Sequence, residues 1–256
     1  MATFDSGGVE IAYCDEGRGR PVVLVHGFAA SVDANWRAPG WIEALVGSGR
    51  RVVALDCRGH GASGKPHDPE AYGGDAMPGD VLRLMDHLGI ERADLMGYSM
   101  GGMISTSLLA HHQDRLGAVV LAGIGGGAVS ATAVDRSEVA DALAESVPDA
   151  GGDSSRGAVA RAFREFAESV GNDLQALAAV MRSRRATVGA RDLANVEAPV
   201  LIVVGDKDDL VGDPAPLRDA VPGSELVIVP GDHLTAVAAP LYKQSVLAFL
   251  QRHSPV

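Results

Sequence analysis

Ser99 stands in Gly97-Tyr98-Ser99-Met100-Gly101-Gly102, a Gly-x-Ser-x-Gly pattern. An apolar run precedes it (Ala93, Leu95, Met96) and a helix-like run follows (Met103, Ile104, Leu108, Leu109). A serine so flanked occupies a sharp turn from strand to helix, where the chain doubles back and a Cβ two positions away would clash. The turn holds the hydroxyl out at the end of a sheet, and the next N–H, that of Met100, points toward the spot where an oxyanion would form. The chemistry this permits is attack on a carbonyl, given a base to take the hydroxyl proton and a carboxylate to orient that base. In a chain with 32 glycines the same residues also fit a softened turn with a capping serine, so the surrounding elements must decide.

Those elements alternate. Thr3-Phe4 and Val9–Cys14 suggest an opening antiparallel pair joined by Asp5-Ser6-Gly7-Gly8. Pro21–Val25 is continuously apolar, as a strand buried on both faces must be, and a leading proline loses no ladder bond. It runs into His26-Gly27-Phe28 at the strand's C-terminal end, where ligands collect on an open parallel sheet. The N–H of Phe28 is a candidate second oxyanion donor; an ordinary glycine turn fits equally. Residues 35–46 read as a helical crossover with Trp36 and Trp41 in the core. A second buried strand, Arg51–Asp56, leads into Cys57-Arg58-Gly59-His60-Gly61-Ala62-Ser63, where Asp56 and Arg58 read as the hydrogen-bonding supports of a glycine-rich loop. Residues 65–77 read as a surface loop, and Val81, Leu84, Met85 and Leu88 place a helix over Asp80–Leu88, closed by Gly89. The strand Ala93–Met96 then delivers Ser99, and a helix runs on to about His112. His111 and His112 diverge on that helix and lack metal-ligand spacing, which leaves them a solvated helix end. Strand, helix, strand, helix, strand describes a mostly parallel sheet covered on both faces.

At 256 residues with 46% apolar content, the chain can build one sizeable core. Its 33 acidic and 22 basic residues give a formal charge of −11, which disfavours nucleic acid and anionic membranes as partners. Only Cys14 and Cys57 are present, so a disulfide framework is not implied and a reducing compartment is the default. A basic-then-apolar leader and an apolar run of membrane-spanning length are both lacking. The expectation is a soluble cytoplasmic protein; the oligomeric state stays open.

Taken together, the chain resembles the α/β-hydrolase superfamily, as a serine esterase-like member. The resemblance is carried by His26-Gly27-Phe28, Asp56-x-Arg58-Gly59-His60-Gly61-x-Ser63, Gly97-Tyr98-Ser99-Met100-Gly101-Gly102 and two C-terminal segments, over about residues 3–122 and 190–252. One such segment is the strand Pro199–Val204 with Gly205-Asp206-Lys207-Asp208-Asp209; the other is the strand Glu225–Val229 with Pro230-Gly231-Asp232-His233. Between the two halves, Gly117–Ala122 forms a further buried strand, and then the alternation stops. Segments marked by Val139, Leu143 and Val147, by Val159, Phe163 and Phe166, and by Leu174, Leu177, Val180 and Met181 read as helices, broken over Pro148–Ser155. The resemblance implies that residues 123–189 form a helical cap over a core made of 1–122 and 190–256; a satellite bundle packed elsewhere is the alternative. A helix with Leu241, Val246, Leu247, Phe249 and Leu250 closes the chain.

In the resembled fold the catalytic order is serine, acid, histidine. Of the eight histidines that order leaves His233 and His253, and His253 lies in a short terminal tail, so His233 is the expected base. The acid lies among Asp206, Asp208 and Asp209, and the family pattern, three residues beyond the glycine, implies Asp208. The implied function is hydrolysis of small carboxylic esters through an acyl-enzyme on Ser99, with the N–H groups of Phe28 and Met100 holding the oxyanion and no metal or organic cofactor. Carbon–carbon bond hydrolysis, lactone opening and perhydrolysis are the alternatives within the superfamily, and a slow-turnover ligand sensor on this scaffold is the alternative outside enzymology. With only 4% aromatic residues, the chain suggests a modest aliphatic pocket.

Overall fold

The computed structural model describes residues 1–130, 136–144 and 155–256. In chain order the strands and helices are β1 (Ala2–Asp5), β2 (Glu10–Gly17), β3 (Pro21–Val25), α1 (Trp41–Gly47), β4 (Arg51–Leu55), α2 (Ala76–His87), β5 (Ala93–Tyr98), α3 (Met100–His111) and β6 (Leu116–Ala122). There follow α4 (Ser137–Ala144), α5 (Ser155–Ser169), α6 (Leu174–Arg182), β7 (Val200–Gly205), α7 (Ala215–Ala220), β8 (Glu225–Val229) and α8 (Pro240–His253). The strands form one eight-stranded sheet in the order β1-β2-β4-β3-β5-β6-β7-β8. The first two pairings, β1 with β2 and β2 with β4, are antiparallel, and the remaining five are parallel.

Strand periodicity divides the central sheet between two cores. On β3, Val23 and Val25 face one side and Val22 and Leu24 the other, all four fully buried. The first face packs on Val81, Leu84 and Met85 of α2 and on Ile104 and Leu108 of α3. The second packs on Ile42 and Leu45 of α1 and on Val246, Phe249 and Leu250 of α8. At about 1.5–3 kcal/mol per buried aliphatic side chain, a strand with four such residues is held by its packing on both faces. β3 and β5 are therefore central and rigid, and their C-terminal ends carry the loops at residues 26–30 and 98–100.

A buried polar junction ties the chain's end to the sheet. Asp94 on β5 is fully buried, accepts the N–H of Ala118 at 2.8 Å, and pairs with Arg50 at 2.5 Å. Arg50 also donates to the carbonyl of Ser254, whose hydroxyl reaches the same aspartate. Asp56 and Arg58 hold the glycine-rich loop as expected. Asp56 accepts the N–H groups of Val32 and Ala62, and Arg58 binds Asp80 of α2 in a two-pronged contact. At Gly61 a Cβ would lie 2.1 Å from the Asp56 carboxylate, so this loop requires glycine there.

Three boundaries differ from those expected. α2 begins at Ala76 rather than Asp80, because Met77 is buried and Pro78 lies in the first turn, where a missing N–H does no harm. The stretch 65–77 is partly interior: Tyr72 is fully buried and its hydroxyl donates to the carbonyl of Pro66 at 2.6 Å. The crossover over 35–46 is two pieces, a wide turn at Asp33–Arg37 and α1, separated by Pro39-Gly40 with Gly40 at φ 76°. Trp36 and Trp41 pack edge to face within the core.

Among the described residues, 123–189 contain no strand of the sheet. Val139 and Leu143 lie on α4, Val159, Phe163 and Phe166 on α5, and Leu174, Leu177, Val180 and Met181 on α6. Val147 and most of the break expected over 148–155 lie outside the described residues. Asn172, between α5 and α6, fastens these helices to the loops after β3 and β4 by accepting the N–H of Gly61 and donating to the carbonyl of Ala29. No helix among the described residues is long and apolar enough to cross a membrane.

Candidate active site

β5 ends at Tyr98 and α3 starts at Met100, so Ser99 alone makes the turn, at φ 53° and ψ −112°. A non-glycine residue held in that region is strained and persists only where its neighbours over-determine it. They do so here through close packing of backbone. A Cβ at Gly97 would meet the carbonyl oxygen of Gly101 at 2.2 Å, and one at Gly101 would meet that of Val25 at 1.9 Å. The Ser99 N–H donates to the carbonyl of Ala122 at 2.8 Å, and its carbonyl accepts the N–H of Met103 at 3.0 Å.

His233 arrives from the loop beyond β8, far along the chain. Its Nε2 lies 2.8 Å from the Ser99 hydroxyl, and its Nδ1 lies 2.8 and 3.0 Å from the two carboxylate oxygens of Asp208. Asp208 can only accept when ionised, so Nδ1 carries the hydrogen and Nε2 presents its lone pair to the serine. The Asp208 side chain is 0% exposed and that of His233 only 12%, so water competes weakly for either contact. The Tyr98 hydroxyl donates to the carbonyl of His233 at 2.8 Å, tying this histidine to the strand that carries the serine. Of the other two acids, Asp206 accepts the N–H of Gly231 at 2.9 Å and braces the turn leading to His233, while Asp209 is exposed. The structure thus brings Ser99, His233 and Asp208 into one chain of hydrogen bonds.

The turn after β3 lies against Ser99: a Cβ at Gly27 would sit 3.4 Å from the serine Cβ. Its shape is fixed by side chains that sequence reading did not single out. Asn35 accepts the Gly27 N–H at 2.9 Å, and Asn172 holds the carbonyl of Ala29, whose φ is 58°. His26 donates from Nδ1 to the carbonyl of Gly27 and accepts the N–H of Cys57 at Nε2, a neutral imidazole spanning two loops. Burial pulls its pKa below the ordinary value, and His60, edge-on beside it, is lowered further for the same reason. Neither the Phe28 nor the Met100 N–H finds an acceptor among the described residues, so both are free to donate. Nothing in the spacing of Asn35 or Asn172 marks them, since each acts on backbone distant in sequence.

Two pockets meet at Ser99 and His233. One, of about 110 Å³, is lined by Phe28, Asn35, Tyr98, Phe166 and Val237. The other, of about 330 Å³, is lined by Met103, Ile124, Met181 and two arginines, Arg136 and Arg185, among others. Phe163 borders both and packs edge to face on Phe28. No grouping of three or more His, Cys, Asp or Glu suited to a metal occurs among the described residues.

The strand order, the strained serine and its two partners define a recognisable class, and the comparisons with known proteins agree. Residues 20–180 match the family model described as the alpha/beta hydrolase fold, and the chain belongs to that family. Among curated relatives, it is 36% identical over 121 residues to the 2-hydroxymuconate semialdehyde hydrolase of Pseudomonas sp. (strain CF600), an alignment covering 46% of this chain and 41% of that protein. It is 30% identical over 254 residues to the dihydrolipoyllysine-residue acetyltransferase component of the acetoin cleaving system of Pseudomonas putida, covering 92% of this chain and 64% of the relative. The chain therefore spans less than two thirds of the length of each of these two relatives. Among solved structures, the enol-lactonase of Burkholderia xenovorans LB400 superposes with a TM-score of 0.79 at 28% identity, covering 98% of this chain and 100% of that one.

Proposed function

We propose that the protein is a serine hydrolase of small carboxylic esters, with Ser99 as nucleophile, His233 as base and Asp208 as the orienting acid. The observation that carries this is the single imidazole lying 2.8 Å from both the hydroxyl and the carboxylate. His233 takes the proton as the Ser99 oxygen attacks the ester carbonyl, and the N–H groups of Phe28 and Met100 hold the oxyanion. His233 then protonates the leaving alcohol, and a water activated by the same base releases the acid. Serine at the elbow supports an acyl-enzyme, since an aspartate there would form an alkyl-enzyme instead.

Residues 123–189 act in this reading as a cap on a core of 1–122 and 190–256; the support is that Phe163, Met181 and Arg185 line a pocket with Ser99. The free, buried cysteines support a reducing, cytoplasmic setting. A second reading, hydrolysis of a carbon–carbon bond or of a lactone by the same residues, draws on the likeness to the 2-hydroxymuconate semialdehyde hydrolase and the enol-lactonase. A panel of p-nitrophenyl esters, lactones and vinylogous diketones separates the two readings. Ester turnover above all others, reduced by about 10⁴-fold or more in Ser99→Ala, is the expected result. Turnover that survives in Ser99→Ala removes the nucleophile from Ser99.

A further inference from the structure

The two buried arginines among the described residues each have an acid. Arg50 pairs with Asp94 and Arg58 with Asp80, and the half-exposed Arg182 beside the cap pocket pairs with Asp141. Arg136 and Arg185 do not: neither takes part in an ion pair among the described residues, and both line the 330 Å³ pocket together with Ser99. Among the described residues, their side-chain hydrogen bonds are single contacts of 3.3 Å to main-chain carbonyls, Arg136 to Ser183 and Arg185 to Val180. The Nε of Arg185 is fully enclosed and has no hydrogen-bond partner among the described residues.

Two cations side by side in an apolar setting are unfavourable. Burial, reinforced by the charge of Arg136, pulls the Arg185 guanidinium down to about 9. The carbonyl end of α6 offers roughly half a negative charge, too little to balance both. A charge buried without a partner costs several kcal/mol, so a chain that keeps two there leaves a place for an anion. The segment holding Arg185 is anchored, since the N–H of Gly74 donates to the carbonyl of Arg184 at 2.8 Å. Beyond the pair, a further chamber of about 650 Å³ also borders Arg136, Arg185, Met103 and Met181.

We propose that Arg136 and Arg185 form a carboxylate-binding subsite, so that the preferred substrate is an ester that also carries a free carboxylate. Met103 and Met181 flank the path from Ser99 to the guanidinium groups and suit the short aliphatic chain between the two ends. A guanidinium meets a carboxylate with two parallel bonds, and the carboxylate supplies a counter-charge that no acid among the described residues provides.

This inference rests on Ser99 chemistry in the same pocket, and the test keeps the two apart. Binding is measured by calorimetry on Ser99→Ala protein with monomethyl glutarate and, as its neutral isostere, dimethyl glutarate. The monoanion is expected to bind at least 30-fold more tightly, and Arg185→Met and Arg136→Gln are each expected to remove most of that difference. Arg185→Lys is expected to recover part of it, which excludes a general loss of folding. In Ser99-intact protein, kcat/KM is compared for p-nitrophenyl hemiesters of succinate, glutarate and adipate and for neutral esters of equal length. Acetate esters of ω-hydroxy acids place the carboxylate on the alcohol side. At least one placement is expected to be preferred by 30-fold or more, with the ratio collapsing in Arg185→Met. Equal binding of the two glutarates, or a preference indifferent to both arginines, overturns the proposal. Failure of ester turnover with the binding preference intact overturns the ester reading alone.

Discussion

At the scale of single residues, the arrangement asks each group for one thing. In the proposed reaction Ser99 supplies an oxygen, His233 a lone pair, and Asp208 a buried acceptor that fixes the imidazole's tautomer. Asp206 and Asp208 differ in burial and in where their oxygens point: exposed Asp206 toward the Gly231 N–H, buried Asp208 toward His233. Asp208→Asn is therefore expected to lower kcat by about 10³–10⁴-fold, because an amide donor favours the wrong tautomer. Asp206→Asn keeps an acceptor oxygen for Gly231 and is expected to lose less than about tenfold. A larger loss from Asp206→Asn in side-by-side kinetics would reverse the two assignments. Asn35 acts at one remove, positioning the Gly27 turn, and its effect should appear in kcat rather than in KM.

At the scale of elements, the strain at Ser99 is held by two interfaces of bare backbone. α3 approaches β3 so closely that the Gly101 position touches the carbonyl of Val25, and Gly97 touches the carbonyl of Gly101. Gly101→Ala is therefore expected to force α3 off the sheet end, lowering stability by about 3 kcal/mol or more together with activity. Urea unfolding of the purified variant measures the first and ester turnover the second. Gly74 has open space around its own Cβ position, and alanine there should cost only what its φ of 53° imposes, of the order of 1 kcal/mol. Similar damage from both substitutions would mean that close approach is not what the elbow glycines provide.

At the scale of the molecule, buried polar groups connect parts that the sheet alone would leave independent. Asp94 joins β5, β6, Arg50 and the chain's last residues, and Asp94→Ala leaves Arg50 buried without its partner. The expected loss is about 3–5 kcal/mol by denaturant unfolding, compared with a few tenths for removal of an exposed ion pair such as Arg218–Asp219. His26 and His60 are both held neutral by burial, with folded pKa values below the ordinary 6.5. The unfolded chain therefore binds more protons as pH falls below about 6.5, and stability is lost on that side and complete above it. Below pH 6 stability should fall as pH falls, with a slope of at most roughly 1.4 kcal/mol per pH unit for each ring. His60→Asn should flatten it, and an unchanged slope in pH-dependent unfolding would assign the loss elsewhere. Cys14 and Cys57 are free and buried, with thiols raised by burial, so a thiol-reactive dye should label neither until the protein unfolds.

Local chemistry was readable from the chain alone because each relevant signal lies within a few residues. Continuous apolar runs marked the parallel strands, and glycines flanking Ser99 marked the elbow, since steric clash along a tight turn is a local matter. Fold class followed from the alternation of such runs. The acid could be narrowed to three aspartates but chosen only through a family pattern, because carboxylates one residue apart leave a turn in opposite directions. Tyr72 and Met77 went unread as core, being buried by elements distant in sequence. Asn35, Asn172 and the unpaired arginines carried no signal either. Their roles arise from which loops meet at the end of the sheet, and from the lack of an acid among the described residues beside the two arginines. Pairing, burial and electrostatic balance are properties of neighbours in space, and folding alone appoints those neighbours.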